Sequence, residues 1–537
     1  MKNGDIIEVH INGTTSDGSG VGRFEGQAVF VAGTAPGERV RVRVQKVSKS
    51  FAVGSAVKIL AASDCRIPAD CSCYGRCGGC CFRHISYDEE CRIKRGIVAD
   101  AMRRIGGIDV PVGELLRGES EGYRNKAQYP IDKNGRVGFF AVRSHEIVPC
   151  DGCRLQPPVF TEITKIFELF VRQFGISVYS EQSCKGLLRH LYIRSSSAGD
   201  IMVTVVINGG MLPHSDALIS VLREALGERF RSFVLNINRE RTNVILGREC
   251  RTLYGEGYIT DVLCGITLRV SPLSFSQVNH DMAEQLYRKA AEYAAPEGKT
   301  VIDLYCGTGA IGLSLAGKAK SVIGVEIVPK AVEDAIANAA ENNIDNIRFI
   351  CADAAAAART LRDEGVKSDV VIVDPPRKGC DGELLSIIAK GFCPHRVVYV
   401  SCNPATLARD CAALSALGYR VDAVTPFDLF PRTAHVETVV LLSRKDVYER
   451  IKFDVNVEDL QGRASSTATY SEIKAYILEK YGLKVSSLYI AQIKDKCGFE
   501  KRDNYNIGEG KSKELICPPE KEQAIMDAFR HFGMLRD

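Results

Sequence analysis

The sequence predicts an α/β protein in which a small β-barrel and an α+β central region precede a mostly parallel sheet. Two stretches predict the sheet, because Thr300–Gly312 and Arg396–Asp410 each combine a hydrophobic strand, a tight turn and a helix. Alternating Arg and Val over 39–44 predict the barrel. We expect domains at residues 1–61, 62–264 and 265–447, and a small helical appendage at 448–537.

Composition and charge exclude several classes of protein. With 45% hydrophobic and 25% charged residues, the chain has the balance of an ordinary globular protein. No apolar run approaches the ~18 residues that span a bilayer, and the polar start predicts no signal peptide. We therefore expect a cytoplasmic protein with no membrane partner, and a monomer. The net charge is only +4, so any affinity for nucleic acid must come from local basic surfaces.

The N-terminal segment combines strands with a row of basic side chains. Alternation over 39–44 places arginines on one strand face, and Lys46 and Lys49 extend the charge, which suits a phosphate backbone. A solvated edge strand guarded by charge is the alternative. The stretch DGSGVGRFEGQAVFVAGTAPGERVRVRV resembles the TRAM module, an OB-like barrel of RNA-modifying enzymes, which implies RNA contact. The predicted strands are Ile6–Ile11, Ala28–Ala32, Val40–Val47 and Ala52–Leu60.

Cysteines crowd into the segment that follows the barrel. In a reducing cytosol, such crowding indicates metal or cluster ligation rather than disulfides. Cys71, Cys77 and Cys80 lie in CSCYGRCGGC, and three close thiolates with one distant partner are common for a four-iron cluster. Cys150 and Cys153 are the candidates for that partner. Zinc in a four-Cys tetrahedron is the alternative, although the five-residue gap is unlike most zinc ribbons.

A helix is predicted over Tyr87–Arg104, and we expect it to pack on the C-terminal sheet domain. The apolar period places Ile93, Ile97, Ala101 and Ile105 along the buried face.

Two polar clusters in the central region are candidate RNA contacts. Tyr123, Arg124, Asn125 and Lys126 combine a stacking ring with cations, which suits single-stranded RNA; solvated surface is the alternative. His190 is a candidate substrate contact, although a structural histidine is the favoured interpretation. The predicted scaffold consists of helices Val159–Gln173 and His214–Leu226 and strands Leu188–Ser195, Ile201–Ile207, Ser232–Asn238 and Thr242–Leu246.

A Gly-rich turn in the C-terminal half predicts a nucleotide-type ligand site. Gly307 and Gly309 permit the turn and a close approach of the ligand. The next strand ends on Glu326, where a carboxylate can hold ribose hydroxyls. DLYCGTG followed by GVE resembles the S-adenosylmethionine site of Rossmann-like class I methyltransferases, and by that resemblance Asp353 holds the adenine edge.

The segment DPPRKG bears on the type of methyl acceptor. Methyltransferases that act on amino groups typically place an aromatic residue after Asp-Pro-Pro, to stack on the flipped base. Arg377 stands at that position here, which disfavours methylation of an exocyclic nitrogen and leaves carbon methylation.

Two residues suit carbon methylation of uracil. Carbon 5 becomes nucleophilic when a thiolate adds to carbon 6, and its proton must later be removed by a base. Cys402, where a strand ends, is the candidate nucleophile, with a buried packing thiol as the alternative. Glu437, at the start of the strand Val436–Leu442, is the candidate base, and a plain strand-start carboxylate is the alternative. His435 is a candidate helper.

Four motifs carry a family resemblance over residues 1–447. DLYCGTGAIG, DPPRKG, VSCNPATLARD and HVETVVLL resemble the RumA/TrmA family of RNA 5-methyluridine methyltransferases. The resemblance implies S-adenosylmethionine as cofactor, Cys402 as nucleophile and Glu437 as proton acceptor. It implies cofactor contacts from Gln277, Tyr305, Glu326 and Asp374, beside Asp353 and Gly307.

The resemblance also bears on the metal and the substrate. The rRNA branch of the family carries a [4Fe-4S] cluster, matched here by Cys71, Cys77, Cys80 and Cys153. Cys153 is preferred over Cys150 because CRLQ fits the family's Cys-x-x-Gln context. The TRAM module and the cluster imply 23S rRNA as substrate, since the tRNA branch typically lacks both.

Three alternatives remain at this level. A uridine of tRNA is the first, and cytosine carbon-5 methylation is the second, disfavoured because Pro376 stands where its enzymes carry a Cys. A non-catalytic RNA-binding iron–sulfur protein is the third, and the intact catalytic set argues against it.

Cys306 and Cys380 lack the strand-end Ser-Cys-Asn-Pro setting and are interpreted as bystanders. In the appendage, Ser471 is expected to cap a helix over Glu472–Tyr481, ahead of two short amphipathic helices.

Overall fold

The structure, a computed structural model, describes residues 1–445, 468–497, 517–532 and 534–535. Two compact units divide the chain, Met1–Val447 and Tyr448–Asp537. In the part of the chain that is described, no helix has both the length and the apolar character needed to cross a membrane. Parts of the predicted appendage, at 448–467 and 498–516, lie outside the described residues.

The N-terminal strands form a closed barrel with the neighbour order β1-β2-β3-β5-β4. The sequence analysis does not predict its second strand, which contains Gly20 and Gly22, because glycines are more typical of turns. They are instead places of close approach: a Cβ on Gly22 would lie 2.2 Å from the His10 carbonyl oxygen. The strands are β1 Ile6–Thr14, β2 Gly20–Phe24, β3 Gln27–Ala32, β4 Arg39–Val47 and β5 Phe51–Ala61.

The first helix, α1 (Tyr87–Arg104), has the predicted bounds but only part of the predicted buried face, of which Ala101 is buried. Ile105 is 53% exposed, whereas Lys94, Val98 and Met102 are buried. The apolar period did not predict this face in full, because the charged residue Lys94 lies at its centre.

Lys94 is buried because three oxygens surround its ammonium group. Its Nζ lies 2.7 Å from Glu90 Oε1 and 2.7 Å from Asp428 Oδ1, and it donates to the Phe430 carbonyl at 3.1 Å. All three charged side chains have 0% exposure. A buried ion needs such a set of partners to offset its desolvation.

The central region is an α+β layer with the sheet order β12-β11-β10-β9-β6. The strand predicted at Thr242–Leu246 is wrong. Asn238 Nδ2 donates hydrogen bonds to the carbonyls of Val244 and Ile245, at 2.7 and 3.0 Å, and these bonds hold the segment in bends. The strand lies at Glu249–Gly255 instead. The elements are β6 Lys126–Pro130, β7 Gly138–Phe140, β8 Ile147–Pro149, α2 Pro158–Phe174, β9 Leu188–Ser195, β10 Ile201–Ile207, α3 Ser215–Leu226, β11 Phe230–Ile237 and β12 Glu249–Gly255.

A hairpin and a helix lead from the central region into the main sheet. They are β13 Ile259–Leu263, β14 Ile266–Val270 and α4 His280–Ala294. Asn279 caps α4 by accepting from the Met282 amide.

The main sheet has seven strands in the order β17-β16-β15-β18-β19-β21-β20. Its first five strands run parallel, and β21 pairs antiparallel with both β19 and β20. The strands are β15 Thr300–Leu304, β16 Ser321–Glu326, β17 Ile347–Cys351, β18 Val370–Val373, β19 Arg396–Ser401, β20 Tyr419–Phe427 and β21 Glu437–Arg444. Ligands of such sheets bind beyond the carboxyl ends of the parallel strands.

Helices cover both faces of this sheet. They are α5 Ala310–Ala316, α6 Pro329–Glu341, α7 Ala354–Asp363, α8 Gly382–Ser386 with a π-helical turn Ile387–Phe392, and α9 Pro404–Ala416. The N-terminal α1 packs against α9, and its Val98 and Met102 join the same core as Val371 and Leu407.

The second unit contains helices α10 Tyr470–Tyr481, α11 Ser487–Lys496 and α12 Pro519–His531. Thr469, rather than the predicted Ser471, caps α10, in a reciprocal capping box with Glu472. Ile477, Ile490 and Phe529 lie in the apolar core of this unit.

We expect Lys94→Met to lower the free energy of unfolding by about 3–5 kcal/mol, because the buried Asp428 carboxylate loses its counter-ion and Glu90 keeps only the longer ion pair with Arg432, at 3.7 Å. Urea denaturation followed by circular dichroism measures the change. Arg103→Met, which removes an exposed ion pair with Asp100 on the same helix, is the matched control and should change stability by less than about 0.5 kcal/mol. Equal effects of the two substitutions would contradict the prediction.

Candidate active site

The turn after β15 has the shape that the glycines predicted. Tyr305, Gly307 and Gly309 all have positive φ, at 66°, 56° and 82°. Gly309 tolerates no side chain, since a Cβ would lie 2.9 Å from Phe349 Cζ. Such a turn exposes backbone amides at the carboxyl edge of the sheet, where a ligand can approach closely.

Glu326, at the end of β16, braces this turn. One carboxylate oxygen accepts from the Gly307 amide at 3.1 Å and the other from Val328 at 2.8 Å. An ionised carboxylate oxygen has two acceptor positions, so each oxygen retains one for a ligand hydroxyl. Glu326 therefore combines the predicted binding role with a structural one.

Asp353 and Gln277 lie in two different segments beside the turn. Asp353 is the N-cap of α7, and its Oδ1 accepts from Ala355 at 3.0 Å and Ala356 at 3.2 Å. The backbone of Gln277 is held by Asn125, whose Nδ2 donates to its carbonyl at 3.1 Å. Both residues are thus held by hydrogen bonds to the backbone, which the sequence motifs did not reveal.

Three carboxyl groups meet at the sheet edge: Asp303, Asp374 and Glu437. Burial raises the pKa of Asp303 and of Asp374 to about 7, and the Asp374 charge adds to the effect on Asp303. Burial and the Asp374 charge raise the pKa of Glu437 to about 8. Asp303 Oδ1 has no hydrogen-bond partner among the described residues. A cationic ligand would relieve this repulsion, so the residues fit the sulfonium of S-adenosylmethionine.

The pairing of β19 with β21 brings the predicted nucleophile and base together. Ser401 lies opposite Thr438 in this antiparallel pair. Cys402 and Glu437, the neighbours of those two residues, therefore meet at one end of the pair, although 34 residues separate them in sequence. Glu437 is 5% exposed and Cys402 is half-buried.

Each polar residue around Cys402 has a contact that shapes its turn. Asn403 caps α9 by accepting from the Ala405 amide at 3.1 Å. Asn403 Nδ2 and Thr406 Oγ1 both donate to the Arg377 carbonyl, at 3.0 and 3.1 Å. The VSCNPAT and DPPRKG segments are thereby joined into one surface.

The charges around Cys402 shift the pKa of its thiol in opposite directions. Burial and the Glu437 charge raise the pKa of the Cys402 thiol, whereas the Arg377 guanidinium lowers it. Arg377 Nη2 lies 3.3 Å from both ring nitrogens of His435. Burial and the Arg377 charge lower the pKa of His435 to about 4, so this ring is neutral near pH 7. The sequence analysis noted only that Arg377 replaces an aromatic residue. The structure shows that its charge acts on the Cys402 thiol.

Phe275 is a candidate binding residue that the sequence reasoning missed. Its ring is 60% exposed, two positions before Gln277, and Lys126 Nζ lies 5.7 Å from the ring centroid. An exposed aromatic next to a ligand site is a platform for stacking a base. The available signal was one aromatic residue inside the polar stretch SPLSFSQ.

The predicted RNA contacts at 123–126 are partly occupied within the fold. Tyr123 donates its hydroxyl to the Pro431 carbonyl at 3.0 Å, and Asn125 holds Gln277. Burial and neighbouring arginines lower the pKa of Lys126 to about 8. On the barrel, Arg41 pairs with Glu8 at 3.3 Å, which reduces the net charge of the predicted basic face.

His190, Cys306 and Cys380 were not assigned catalytic roles from the sequence, and burial perturbs the pKa of all three. Burial and the Arg189 charge lower the pKa of His190 to about 4. Cys306 lies in the Gly-rich turn, and its Sγ is 3.0 Å from where a Cβ on Gly324 would be. Cys380 is buried, and burial raises the pKa of its thiol to about 12.

The predicted cluster ligands share one enclosed cavity of about 80 Å³. Within the described ranges, no three Cys, His, Asp or Glu side chains are arranged to hold a single metal ion. Burial raises the pKa of Cys77, Cys80 and Cys153, the last to about 11. The cysteines in the cavity wall are Cys71, Cys73, Cys77, Cys80, Cys150 and Cys153.

Arg83 makes the cavity wall suitable for an anion. It is 2% exposed, and it pairs with Asp70 at 2.8 Å and Glu121 at 3.4 Å. Its Nη2 is buried and has no hydrogen-bond partner within the described chain. A buried, incompletely satisfied guanidinium beside thiols fits a negatively charged metal–thiolate group.

Comparisons with known proteins agree with this architecture. Residues 264–445 match the family model of tRNA (Uracil-5-)-methyltransferase, and residues 1–57 match the TRAM domain model. An uncharacterized RNA methyltransferase of Clostridium tetani is 44% identical over 449 residues, covering 82% of this chain and 97% of the relative. One from Caldanaerobacter subterraneus subsp. tengcongensis is 43% identical over 450 residues, covering 83% of this chain and 99% of the relative.

A solved structure extends the similarity to three dimensions. The Pyrococcus abyssi tRNA (uracil-54, C5)-methyltransferase, in complex with S-adenosyl-L-homocysteine, is 30% identical and superposes with a TM-score of 0.67. The match covers 81% of this chain and 100% of that structure. The chain therefore belongs to the S-adenosylmethionine-dependent tRNA (uracil-5-)-methyltransferase family, and it is an RNA methyltransferase with an N-terminal TRAM domain.

Proposed function

We propose that this enzyme methylates carbon 5 of a uridine in 23S rRNA, with Cys402 as the nucleophile and Glu437 as the base. The observation that carries the proposal is the β19–β21 pairing, which sets a half-buried thiol beside a buried carboxyl group at the cofactor edge of the sheet.

The cofactor would be held by the residues that surround the Gly-rich turn. Glu326 offers acceptor positions to the ribose hydroxyls, and the carboxyl group of Asp374 faces a positively charged sulfonium. S-adenosylmethionine supplies, when bound, an electrophilic methyl group to carbon 5 and departs as the neutral thioether. The remaining contacts are Gln277, Tyr305, Asp353 and the backbone of Gly307.

Cys402 begins the reaction as a thiolate. Its sulfur forms a bond to carbon 6 of uracil, and the electron pair of the carbon 5–carbon 6 double bond moves onto the carbonyl at carbon 4 as an enolate. Arg377 favours the thiolate because its charge lowers the pKa of Cys402. Phe275, with its exposed ring, is placed to stack on the uracil or a neighbouring base.

Glu437 completes the reaction as a base. After methylation, carbon 5 carries both a methyl group and a proton, and the carboxylate takes that proton. The electron pair restores the carbon 5–carbon 6 double bond, which expels the Cys402 thiolate. A pKa of about 8 suits this role, because a base with a pKa near the working pH is both available and strong enough.

The choice of 23S rRNA depends on the accessory parts. The TRAM barrel and the cysteine-lined cavity are features that the resemblance associates with the rRNA branch. One observation favours tRNA as the second candidate: the structurally similar Pyrococcus protein acts on uracil 54 of tRNA. The catalytic chemistry is the same for both candidates.

We expect labelled methyl groups to enter 5-methyluridine in unmodified 23S rRNA and not in tRNA, as measured by nucleoside mass spectrometry. Cys402→Ala should reduce turnover on the order of 10³-fold or more while S-adenosylhomocysteine still binds, because only the nucleophile is lost. Cys393→Ala is the control, since it removes a thiol remote from the catalytic turn. Label in tRNA alone would reverse the choice of substrate, and full activity of Cys402→Ala would refute the mechanism.

We expect release of methylated RNA from the covalent adduct to speed up with pH and level off above about pH 8. The reason is that burial raises the pKa of Glu437 to about 8, so the proton-accepting form gains population as pH rises through that value. Glu437→Gln should slow release by about 10²–10⁴-fold and abolish this pH dependence. Glu333→Gln, an exposed carboxylate on α6, should change neither. A pH-independent release step in the wild-type enzyme contradicts the assignment.

We also propose that the cavity holds a [4Fe-4S] cluster on Cys71, Cys77, Cys80 and Cys153, with zinc as the competing occupant. Thiols are the donors that both groups prefer, and the buried Arg83 guanidinium offsets the negative charge of either. The bound group would tie the segment 71–80 to Cys153, a structural role that takes no part in methyl transfer.

We expect protein purified without oxygen to be brown and to contain about four irons per chain, by absorption and metal analysis. Cys153→Ser should lose most of the iron because a ligand is removed. Cys150→Ser changes a thiol in the same cavity wall and should keep it. Colourless protein with stoichiometric zinc would overturn the assignment of the cluster. Iron loss in Cys150→Ser but not in Cys153→Ser would identify Cys150, and not Cys153, as the fourth ligand.

A further inference from the structure

The loop between β20 and β21, residues 428–436, is held by donors from distant parts of the chain. We call it the base loop, because it ends directly before Glu437. Four successive carbonyls in it accept hydrogen bonds. Asn279 donates to Leu429 at 3.2 Å, Lys94 to Phe430 at 3.1 Å, Tyr123 to Pro431 at 3.0 Å, and the amides of Cys81 and Phe82 to Arg432 at 2.9 and 3.2 Å.

The ion triad of Lys94, Glu90 and Asp428 anchors this loop to α1. Lys94 holds the first residue of the loop through Asp428. Glu90 accepts from the Arg432 amide at 2.6 Å, so the same triad also holds the loop near its middle. Arg432 has φ +68°, a conformation that a residue with a side chain adopts only where its surroundings impose it. The loop also contains a turn of its own, in which Thr433 donates to the Phe430 carbonyl, but the other parts of the chain fix its two ends and its middle.

Glu437 and Cys402 depend on this loop to different degrees. Strand pairing holds Glu437 from its C-terminal side, and the base loop holds it from its N-terminal side. Cys402 is fixed by β19, by the cap of α9 and by the contacts with the Arg377 carbonyl. The loop reaches these surroundings through His435, whose ring contacts the Arg377 guanidinium, and not through the backbone of Cys402. A displaced base loop should therefore disturb the proton acceptor more than the nucleophile.

We propose that Lys94, with Glu90 and Asp428, is a positioning residue for proton abstraction: the buried triad on α1 sets the base loop and thereby the Glu437 carboxylate. The proposal rests on the proposed roles of Cys402 and Glu437. It assigns the triad to the release step of the reaction, not to formation of the covalent adduct.

The test uses Glu90→Gln/Lys94→Met/Asp428→Asn, which neutralises all three side chains at nearly constant volume. Lys94→Met alone leaves the buried Asp428 carboxylate unpaired, with Glu90 held only by Arg432, and can fail to fold, whereas a neutral replacement of a buried ion group is often tolerated. Asp100→Asn/Arg103→Met neutralises an exposed pair on the same helix and serves as the control. The full-length proteins are compared at a temperature well below the melting point of each.

Two rates are measured with 23S rRNA and S-adenosylmethionine: formation of the denaturation-resistant enzyme–RNA adduct, and release of methylated RNA. We expect the triple variant to form the adduct within about threefold of the wild-type rate and to release RNA about 10–100-fold more slowly, because a small displacement of a catalytic group has a cost of this size. The methylated adduct should therefore accumulate, as it should in Glu437→Gln. The control should match the wild-type enzyme in both rates.

Three results would overturn the proposal. Equal slowing of both rates would mean that the triad supports the fold in general, and unchanged rates with a lower melting temperature would mean a purely structural role. Failure of the wild-type enzyme to form any Cys402-dependent adduct would overturn the proposed function itself, and with it this inference. That result is recognised before the variants are compared, so the two failures are distinguishable.

Discussion

The ammonium group of Lys94 links the parts of the molecule that must act together. It lies on a helix N-terminal to the central region, yet two of its partners, Asp428 and the Phe430 carbonyl, come from the loop that precedes Glu437. An ion at 0% exposure is stable only while all its partners stay in place, so α1, the base loop and the main sheet are held in one arrangement. The position of α1 on α9 follows from the apolar packing of Val98 and Met102 against residues such as Leu407.

The chemistry depends on charges collected at the carboxyl edge of the sheet. Asp303, Asp374 and Glu437 come from three different strands or strand ends, and burial raises the pKa of each. The charge of Asp374 acts on both Asp303 and Glu437, and in the proposed function a cationic methyl donor would relieve this repulsion where its neutral product would not. The same burial gives Glu437 a pKa near the working pH, while the Arg377 charge opposes the effect of burial on the Cys402 thiol. One environment would therefore serve both of the proposed roles, cofactor binding and acid–base chemistry.

The cysteine-lined cavity connects with this edge through the backbone. The amides of Cys81 and Phe82, directly after Cys80, donate to the Arg432 carbonyl in the base loop. A metal group in the cavity would rigidify the segment from which these donors come. The cavity and the ion triad thus fix the base loop from two sides, which explains how a remote structural group can matter to a methyl-transfer site without touching the substrate.

Much of the fold and the positions of the candidate site residues could be predicted from the sequence, because strand–turn–helix order and apolar periodicity are local patterns. The strand–turn–helix order predicted the Gly-rich turn and Cys402 at a strand end, and the bounds of α1 and of strands β9 and β10 follow directly from periodicity. The buried face of α1 could not be predicted, since Lys94 is buried only because Asp428 lies opposite it. Strand β2 was missed because its glycines look like a turn until a neighbouring strand lies against them. The sequence by itself determined which chemical groups are present and which local elements carry them. Only the tertiary structure decided which groups meet, because the contacts of Cys402 with Glu437 and of Lys94 with Asp428 join residues that no local period relates.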